Sequence, residues 1–311
     1  MRQCVPAAAL AIAAVLAGCS PPTAAASGHA RLGLTIERLF WLDPAYGHYE
    51  AFAVAAGKPF SLGTFNVSTM GPLVTLDGSP KTAWTAKVSA AAIEEVLVTL
   101  ETPDDQDPLP SRQVFLRGVV SDGRAALAPP VAAERFLGKT GTYILDNPAS
   151  EKDHFDFNGI WFACIDGTTY TPGLEIDPAP SGYMYAGWLV LNRVVLRLGK
   201  FSNKLGNDDF YGYSGLDSVS LPVNFTGPPM PGEDFIKNLP PGVPTGNGQP
   251  DLSGAQVIIS LESATLAGED RFAGPLHIFE GWVPTPAAPR KVYLLKNVAA
   301  QSFPAGTVVV Q

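Results

Sequence analysis

Histidines and acidic side chains are the groups of this sequence that could carry acid–base or metal chemistry. The histidines are His29, His48, His154 and His277. No two of them have the i, i+4 spacing with which one helix face binds a metal ion. His48 shares a predicted strand face with Glu50, and His154 with Asp156, but a zinc site would need a third ligand from elsewhere in the chain. The sequence therefore predicts no metal site.

The acidic residues cluster in three places. They are Asp104, Asp105 and Asp107; Asp208 and Asp209; and Glu233 and Asp234. None of these clusters has the alternating spacing with which one loop supplies the roughly six to eight oxygens around Ca²⁺. The last two lie in a long segment, 203–251, that is dense in Gly, Pro and Asn, and a loop of such length is commonly functional. Acids there leave one alternative open, an enzyme that processes carbohydrate or peptide. A glycosidase would need two carboxylates about 5 to 10 Å apart in one cleft.

The sequence contains no nucleophile motif. Ser214 lies in the sequence GYSG, which lacks the second spaced glycine of the G-x-S-x-G turn. No phosphate-binding loop and no dinucleotide-binding fingerprint occurs. Cys164 lies in the apolar run Ile160–Ile165 without a basic neighbour to activate its thiol, which predicts a buried, inert cysteine. We therefore expect no catalytic residues and no cofactor.

Cys19 is the residue whose surroundings predict a covalent modification. The chain begins with Arg2 and continues with an apolar run, Val5–Leu16, that is too short to span a bilayer, since spanning takes about 20 residues. Such a run is typical of an export signal. The sequence LAGC that ends at Cys19 resembles the bacterial lipobox, and this resemblance implies cleavage before Cys19 and attachment of diacylglycerol to its thiol. Buried acyl chains contribute about 0.8 kcal/mol per methylene, which is ample for a lasting anchor. An ordinary signal peptide with a chance cysteine is the alternative.

The N-terminal features predict where the protein is located. Residues 1–18 would be a lipoprotein signal peptide, and residues 19–29, rich in Pro, Ala and Ser, a tether. The expected location is the bacterial cell envelope, and by analogy with other lipoproteins Ser20 favours the outer membrane. Of the three cysteines, Cys4 would leave with the signal and Cys19 would carry lipid. Only Cys164 would remain, which excludes an intrachain disulfide between mature thiols.

Composition and charge predict an all-β protein. Charged residues make up 16% of the 311 residues, well below the usual share, and there are 31 Gly and 29 Pro. Many turn-forming residues between runs of Val, Leu and Ile favour strands over helices. The formal net charge of −8 argues against a nucleic-acid partner, because binding to phosphates needs a clustered basic surface.

The sequence also contains an internal repeat. The segment Tyr49–Phe65 has a second copy at Tyr185–Phe201: in both, a Tyr precedes an aromatic residue and a Val, and Leu-Gly-x-Phe follows at the same distance. Farther on, Val96–Glu101 is repeated at Val257–Glu262, so that both copies contain Thr/Ser-Leu-Glu at the end of a Val-rich run. A further strand containing a late Gly follows in each copy. Matching spacing over this length indicates a duplicated β unit.

We expect the two copies to fold as two tandem antiparallel β-sandwich modules. The predicted boundaries are 30–120 for the first module, 121–140 for a connector, and 141–311 for the second module with the insertion 203–251. In the first hairpin, a turn at Gly57 and Lys58 would place Phe52 opposite Gly63, where the ring could cover the bare backbone.

The pattern Tyr-x-x-aromatic-x-Val, Leu-Gly-x-Phe, Thr/Ser-Leu-Glu, taken in this order, resembles the C-terminal, extracytoplasmic domain of anti-sigma-K factors. The resemblance covers residues 49–118 and 185–281. It implies a compact antiparallel β-sandwich for each module. Those factors also carry a cytoplasmic, helical sigma-binding segment and a membrane helix, whereas this sequence has only the predicted lipid anchor. Inhibition of a sigma factor is therefore not carried over, and neither is any catalytic residue.

These features together predict a non-catalytic cell-envelope lipoprotein that acts as an interaction, sensing or structural module. Its partners would be the membrane, through the lipid, and an envelope protein or glycan. Aromatic residues of the insertion are the candidate interaction surface: Phe210, Tyr211 and Tyr213. Two alternatives stay open: the enzyme described above, and a signalling regulator related to anti-sigma factors. A neighbouring sigma-factor gene would favour the regulator.

Replacement of the predicted lipid-bearing residue, Cys19→Ser, should release the protein from membranes, because the hydroxyl does not replace the thiol as the site of lipid attachment. Cell fractionation with detection of the protein in each fraction measures this. Cys164→Ser is the matched control and should stay with the membranes. If both variants are retained equally, the thiol of Cys19 does not hold the anchor.

Overall fold

The computed structural model describes residues 28–45, 47–68, 71–147, 158–213, 227–235, 238–239, 241–243, 245–246, 249–264, 274 and 276–311. The predicted signal peptide, Cys19 and most of the tether lie outside these residues. So do His154, Asp156 and Ser214. The expectations for all of them remain predictions.

The regular structure of the described residues consists almost entirely of antiparallel strands, which confirms the predicted all-β class. Within the described residues, helix is limited to one short segment, α1 Ala299–Ser302, and two 3₁₀ turns, Ala90–Ala92 and Ala133–Phe136. The strands are β1 Ala30–Glu37, β2 His48–Ala55, β3 Lys58–Val67, β4 Leu73–Val74, β5 Trp84–Ala86, β6 Glu95–Glu101, β7 Val114–Val119, β8 Arg124–Leu127, β9 Gly141–Leu145, β10 Gly159–Trp161, β11 Ala163–Asp166, β12 Thr169–Pro172, β13 Tyr183–Leu191, β14 Val194–Phe201, β15 Gly232–Asp234, β16 Thr245–Gly246, β17 Gln249–Pro250, β18 Gln256–Ser263, β19 Leu276–Trp282, β20 Tyr293–Asn297 and β21 Ala305–Val310.

Three sheets enclose the core. Their strand orders are β4-β3-β2-β6-β7, β5-β1-β21-β8 and β14-β13-β18-β19-β20-β9-β10-β15, and β11-β12 and β16-β17 form separate hairpins. The eight-stranded sheet curls until its two edge strands, β14 and β15, touch. A single hydrophobic cluster contains residues from all three sheets, among them Leu32, Phe65 and Leu261. The two repeats therefore share a continuous core.

The last strand differs from the predicted division of the chain. The sequence assigns Ala305–Val310 to the second module and residues 121–140 to a connector. In the structure β21 lies between β1 and β8, with Val308 opposite both Leu34 and Ala125. The connector thus contains a strand, and the C-terminal strand completes a sheet that the N-terminal part of the chain begins. Alternating polarity indicates a strand, but it does not indicate its partner, because any strand with an unpaired edge offers the same backbone groups.

The repeated segments have the same strand order and register. We call β3-β2-β6-β7 the first unit and β14-β13-β18-β19 the second unit. In each, the repeated Tyr lies opposite the repeated Phe, and a bulge follows two residues after the Tyr. The pairs are Tyr49–Phe65 and Ala51–Gly63 in the first unit, and Tyr185–Phe201 and Gly187–Gly199 in the second. A second bulge also recurs, after Val98 in β6 and after Ile259 in β18.

The repeated Tyr connects its sheet to the preceding segment in both units. Tyr49 and Tyr185 are fully buried, and their rings lie 5.5 and 5.8 Å from the rings of their Phe partners. Each hydroxyl donates to a carbonyl earlier in the chain: Phe40 O at 3.3 Å and Asp177 O at 2.9 Å. Since a buried phenol needs a hydrogen-bond partner, the repeated Tyr fixes the preceding segment against its sheet in both copies.

The Gly of each Leu-Gly-x-Phe lies beside the bulge in a left-handed conformation. Gly63 has φ +101° and Gly199 has φ +110°, a region that side chains rarely adopt. A polar group occupies the space that a Cβ would need: the amine of Lys81 in the first unit and the carboxyl of Asp208 in the second. The repeated glycine is therefore required both by the backbone and by a neighbouring side chain.

The first hairpin turns one residue earlier than predicted. Ala55 pairs with Lys58, so the two loop residues are Ala56 and Gly57, and both have positive φ, as a tight hairpin turn requires. Phe52 therefore lies opposite Ser61 and not opposite Gly63. The prediction was wrong because the sequence shows neither the turn type nor the bulge.

Gly199→Ala should lower the free energy of unfolding by about 3 kcal/mol, because a methyl group there meets both an unfavourable φ and the carboxyl of Asp208. Gly167→Ala is the matched control: its φ is +59° and the space around it is open, so it should cost about 1 kcal/mol. Denaturant unfolding measures both. Equal costs would show that the contact with Asp208 does not matter.

Candidate functional site

A cleft of about 170 Å³ lies between the two units. Its floor is apolar and consists of Leu100, Val114, Phe115, Leu261 and Leu276. Its polar lining consists of Arg112, Gln113, Tyr183, Glu262 and Ser263. Residues 100–115 come from β6, β7 and the segment between them. The remainder belong to β13, β18 and β19, apart from Gly182, which precedes β13, and Gly274, which lies between β18 and β19. Both copies of the repeat are therefore needed to form the cleft.

Glu262 is the acid in this lining, and its carboxylate is fully engaged. Its Oε1 accepts from Trp188 Nε1 at 2.9 Å, from Ser260 Oγ at 2.7 Å and from the Gly274 amide at 3.0 Å. Its Oε2 lies 3.3 Å from Lys200 Nζ. A buried carboxylate needs such partners to offset the loss of water. Glu262 therefore stabilises the second unit and is not available as a free acid or base.

Glu101 is the equivalent residue of the first unit, and its carboxylate also accepts hydrogen bonds from neighbouring groups. Glu101 Oε1 accepts from the Ser111 amide at 2.9 Å and from the hydroxyl of Thr99. Ser111 Oγ in turn donates to Leu100 O at 2.9 Å. In both units, then, the Thr/Ser-Leu-Glu motif holds the chain that returns to the next strand. The motif on which the family resemblance partly rests has a structural role here.

Three side chains of the described lining have donors without a partner among the described residues, namely the guanidinium of Arg112, the amide of Gln113 and the hydroxyl of Tyr183. Arg112 is exposed at the rim, and Gln113 and Tyr183 are half-buried. Burial raises the pKa of the Tyr183 phenol, so it stays protonated at neutral pH. The cleft therefore offers one cation, an amide and a phenol donor above an apolar floor. Sequence analysis missed all three residues, because none lies in a motif.

The predicted interaction surface is largely packed against the protein. The Tyr213 ring stacks on Phe235 with centroids 5.3 Å apart, and Phe210 lies edge-on to Tyr213 at 5.1 Å. Arg197 lies over the Phe210 ring at 5.3 Å. Tyr211 alone of the three predicted residues is exposed, at 47%. A partner surface at Phe210, Tyr211 and Tyr213 remains a prediction, and the structure places it away from the lining of the cleft.

The described acids of the insertion do not line this cleft. Glu233 and Asp234 are fully buried in β15, where Asp234 Oδ1 accepts from Trp161 Nε1 at 2.9 Å. Asp209 pairs with Arg197 at 2.6 Å. Across the part of the chain that the structure describes, no three His, Cys, Asp or Glu side chains are placed to hold a metal ion.

The remaining predicted residues lie in ordinary surroundings. His48 and Glu50 are both buried in β2, and burial lowers the pKa of His48 and raises that of Glu50. His277 Nδ1 lies 2.6 Å from Glu280 Oε1. Cys164 was predicted to be buried but is half-buried, because β11 and β12 form a hairpin outside the large sheets, and its sulfur lies 3.1 Å from Thr142 Oγ1.

Comparison with known proteins gave no match: no family model, no curated protein and no solved structure is similar to this chain. Within the described residues, no helix has the length and apolar character needed to cross a membrane.

Asp208 closes the eight-stranded sheet where its edges meet. Its carboxyl group packs on Gly199 of β14, and its Oδ2 accepts from the Gly232 amide of β15 at 2.9 Å. Its Oδ1 accepts from the Phe210 amide at 2.9 Å. Burial raises its pKa to about 7, against the opposing effect of these donors, and the neighbouring Asp209 adds a small increase. The same residue therefore supports the seam of the sheet and titrates near neutral pH.

Because the folded pKa of Asp208 lies above its unfolded value of 3.8, the folded protein holds a proton that the unfolded chain releases. Its contribution to stability is fully present below pH 3.8 and is lost as the pH rises through about 7. Between pH 6 and pH 8 the free energy of unfolding should fall by about 1 kcal/mol more for the wild type than for Asp208→Asn, which cannot titrate.

Denaturant unfolding of both proteins at the two pH values measures this difference. Asp209→Asn is the matched control and should behave like the wild type. Parallel pH profiles for the wild type and Asp208→Asn would contradict the titration of Asp208 in this range.

Proposed function

We propose that this protein is a non-catalytic lipoprotein of the bacterial cell envelope, and that it binds an envelope protein or glycan in the cleft between its two units. The observation that carries the proposal is the state of Glu262. Four donor groups surround this carboxylate, so the acid of the cleft has a structural role in stabilising the fold. The other described groups of the cleft are suited to binding: a guanidinium exposed at the rim, a side-chain amide, a half-buried phenol and an apolar floor.

The acids of the insertion support binding over the enzymatic alternative. A glycosidase needs two carboxylates facing one substrate, about 5 to 10 Å apart. Among the described acids of the insertion, Asp208 accepts two backbone amides, Asp209 pairs with an arginine, and Glu233 and Asp234 are buried in β15. None of them lines the cleft. No observation therefore favours the enzyme.

The proposed lipid anchor and outer-membrane location rest on the resemblance of the sequence around Cys19 to a lipobox, and with them the binding site would lie in the envelope. The signalling regulator rests on the resemblance to anti-sigma-K factors alone. A sigma-factor gene beside the gene for this protein would favour it, and the absence of such a gene would count against it.

A photo-crosslinking residue in place of Gln113, at the rim of the cleft, should capture a distinct partner in intact cells. The matched control carries the same residue in place of Lys58, which is exposed at the far end of the first hairpin. Lys58 pairs with Ala55, six residues along β2 from Tyr49, which pairs with Leu100 of the cleft floor. This separation is about 20 Å.

Mass spectrometry of the adducts is the measurement. We expect one adduct specific to position 113 and none specific to position 58. The same abundant envelope proteins at both positions, and nothing else, would contradict a binding role for the cleft.

A further inference from the structure

We infer that the cleft binds the free carboxyl-terminal residue of a peptide whose last side chain is apolar. This inference rests on the proposed function and specifies the ligand of the same site. It follows from three features of the cleft: its size, its charge and the way in which Arg112 is held.

The size and floor of the cleft suit one apolar side chain. Leu100, Phe115, Leu261 and Leu276 are all buried apolar residues of the cleft lining. A dry apolar cavity of about 150 Å³ accommodates a single benzene-sized group. The volume here, about 170 Å³, therefore fits one branched or aromatic side chain and does not fit a longer chain.

The charge of the cleft suits an anion. The negative charge of Glu262 is opposed by Lys200 at 3.3 Å and shared among three further donors. Among the described lining residues, Arg112 then remains as the charge without a counterion. A guanidinium binds a carboxylate through two parallel hydrogen bonds, which is among the strongest polar contacts a protein makes with an anion. The described lining offers no free carboxylate to an ammonium group, so the inference is for the carboxyl end of a peptide and not for its amino end.

Arg112 lies between two anchored residues. The Ser111 amide before it donates to Glu101 Oε1 at 2.9 Å, and the Gln113 carbonyl after it accepts from the Leu100 amide at 3.2 Å. The backbone at Arg112 is therefore held in place before any ligand arrives, which lowers the entropic cost of binding. Tyr183 and Gln113 can donate to the other carboxylate lone pairs.

The rim leaves room for the rest of a peptide. Arg112 and Gly182 are exposed at the mouth of the cleft, whereas Leu100, Phe115, Leu261 and Leu276 of the floor are buried. A terminal side chain can enter the apolar part of the cleft while its carboxylate contacts Arg112 and the preceding residues leave through the mouth. A free amino acid would also bring an ammonium group, for which the described lining has no free carboxylate.

Calorimetric titration of the detergent-solubilised full-length protein tests this inference. The probes are N-acetyl-Ala-Ala-Leu with a free carboxyl end, the same peptide amidated, and N-acetyl-Ala-Ala-Asp with a free carboxyl end. We expect the first to bind at least about tenfold more tightly than the other two. Arg112→Gln should weaken binding of the free acid about tenfold and leave the amide unchanged. Arg124→Gln, an exposed arginine in β8 away from the cleft, is the matched control and should change neither.

Equal affinity for the acid and the amide, or full affinity in an Arg112→Gln protein that melts at the wild-type temperature, would overturn the inference. Tighter binding of free N-acetyl-leucine than of the peptide would overturn the peptide assignment, because a small carboxylate would then be the ligand. If no peptide binds while crosslinking at position 113 still gives a specific adduct, the ligand assignment fails and the proposed function stands. If both fail, both proposals are wrong.

Discussion

A buried carboxylate at the end of a Val-rich strand is the interaction on which the rest of this structure depends. Glu101 and Glu262 occupy the same position in the two units, and each accepts a backbone amide from the chain that returns to the next strand. Burying a carboxylate costs free energy unless its oxygens accept hydrogen bonds. Each glutamate is therefore stable only while the returning chain keeps its donors in position. The walls of the cleft are formed by these two held segments, and its shape follows from the same hydrogen bonds.

The two units have the same strand order and register but differ in the side chains at matching places. The left-handed glycine beside the bulge accommodates Lys81 in the first unit and Asp208 in the second. In the first unit the positive group lies over Trp84, 4.7 Å from the ring centroid, whereas in the second the carboxyl joins the two edges of a curled sheet. The left-handed glycine can therefore lie beside an amine in one unit and a carboxyl group in the other, because it leaves space for either side chain. The cleft between the units is also asymmetric: Arg112 comes from the first unit and Glu262 from the second.

Much of the local structure could be predicted from the sequence, and the errors have identifiable causes. The strands that start near Tyr49 and Tyr185 are present with matching registers. Their register could be predicted because the spacing of Tyr, Gly and Phe reflects the alternation and the bulge within a single hairpin. The turn of the first hairpin was predicted one residue late. Ala56 has a positive φ, and the sequence did not indicate this because alanine rarely adopts such a conformation. The aromatic residues of the insertion were predicted as an interaction surface, which remains a prediction; Tyr213 packs on Phe235, a residue in another part of the same insertion, and Tyr211 is exposed. The sequence of a polar loop does not indicate which residues its aromatic rings will pack against.

The sequence by itself determined the all-β class, the duplication and the side chains that each strand turns inward, because these depend on alternation and spacing along a short stretch of chain. Only the tertiary structure decided which strands become neighbours. β21 joins β1 across nearly the whole length of the chain, and Arg112 and Tyr183, one from each copy, line the same cleft. Contacts of that kind depend on which edges and faces remain unpaired after the local elements have formed. That is a property of the assembled sheets, and no segment taken alone contains it.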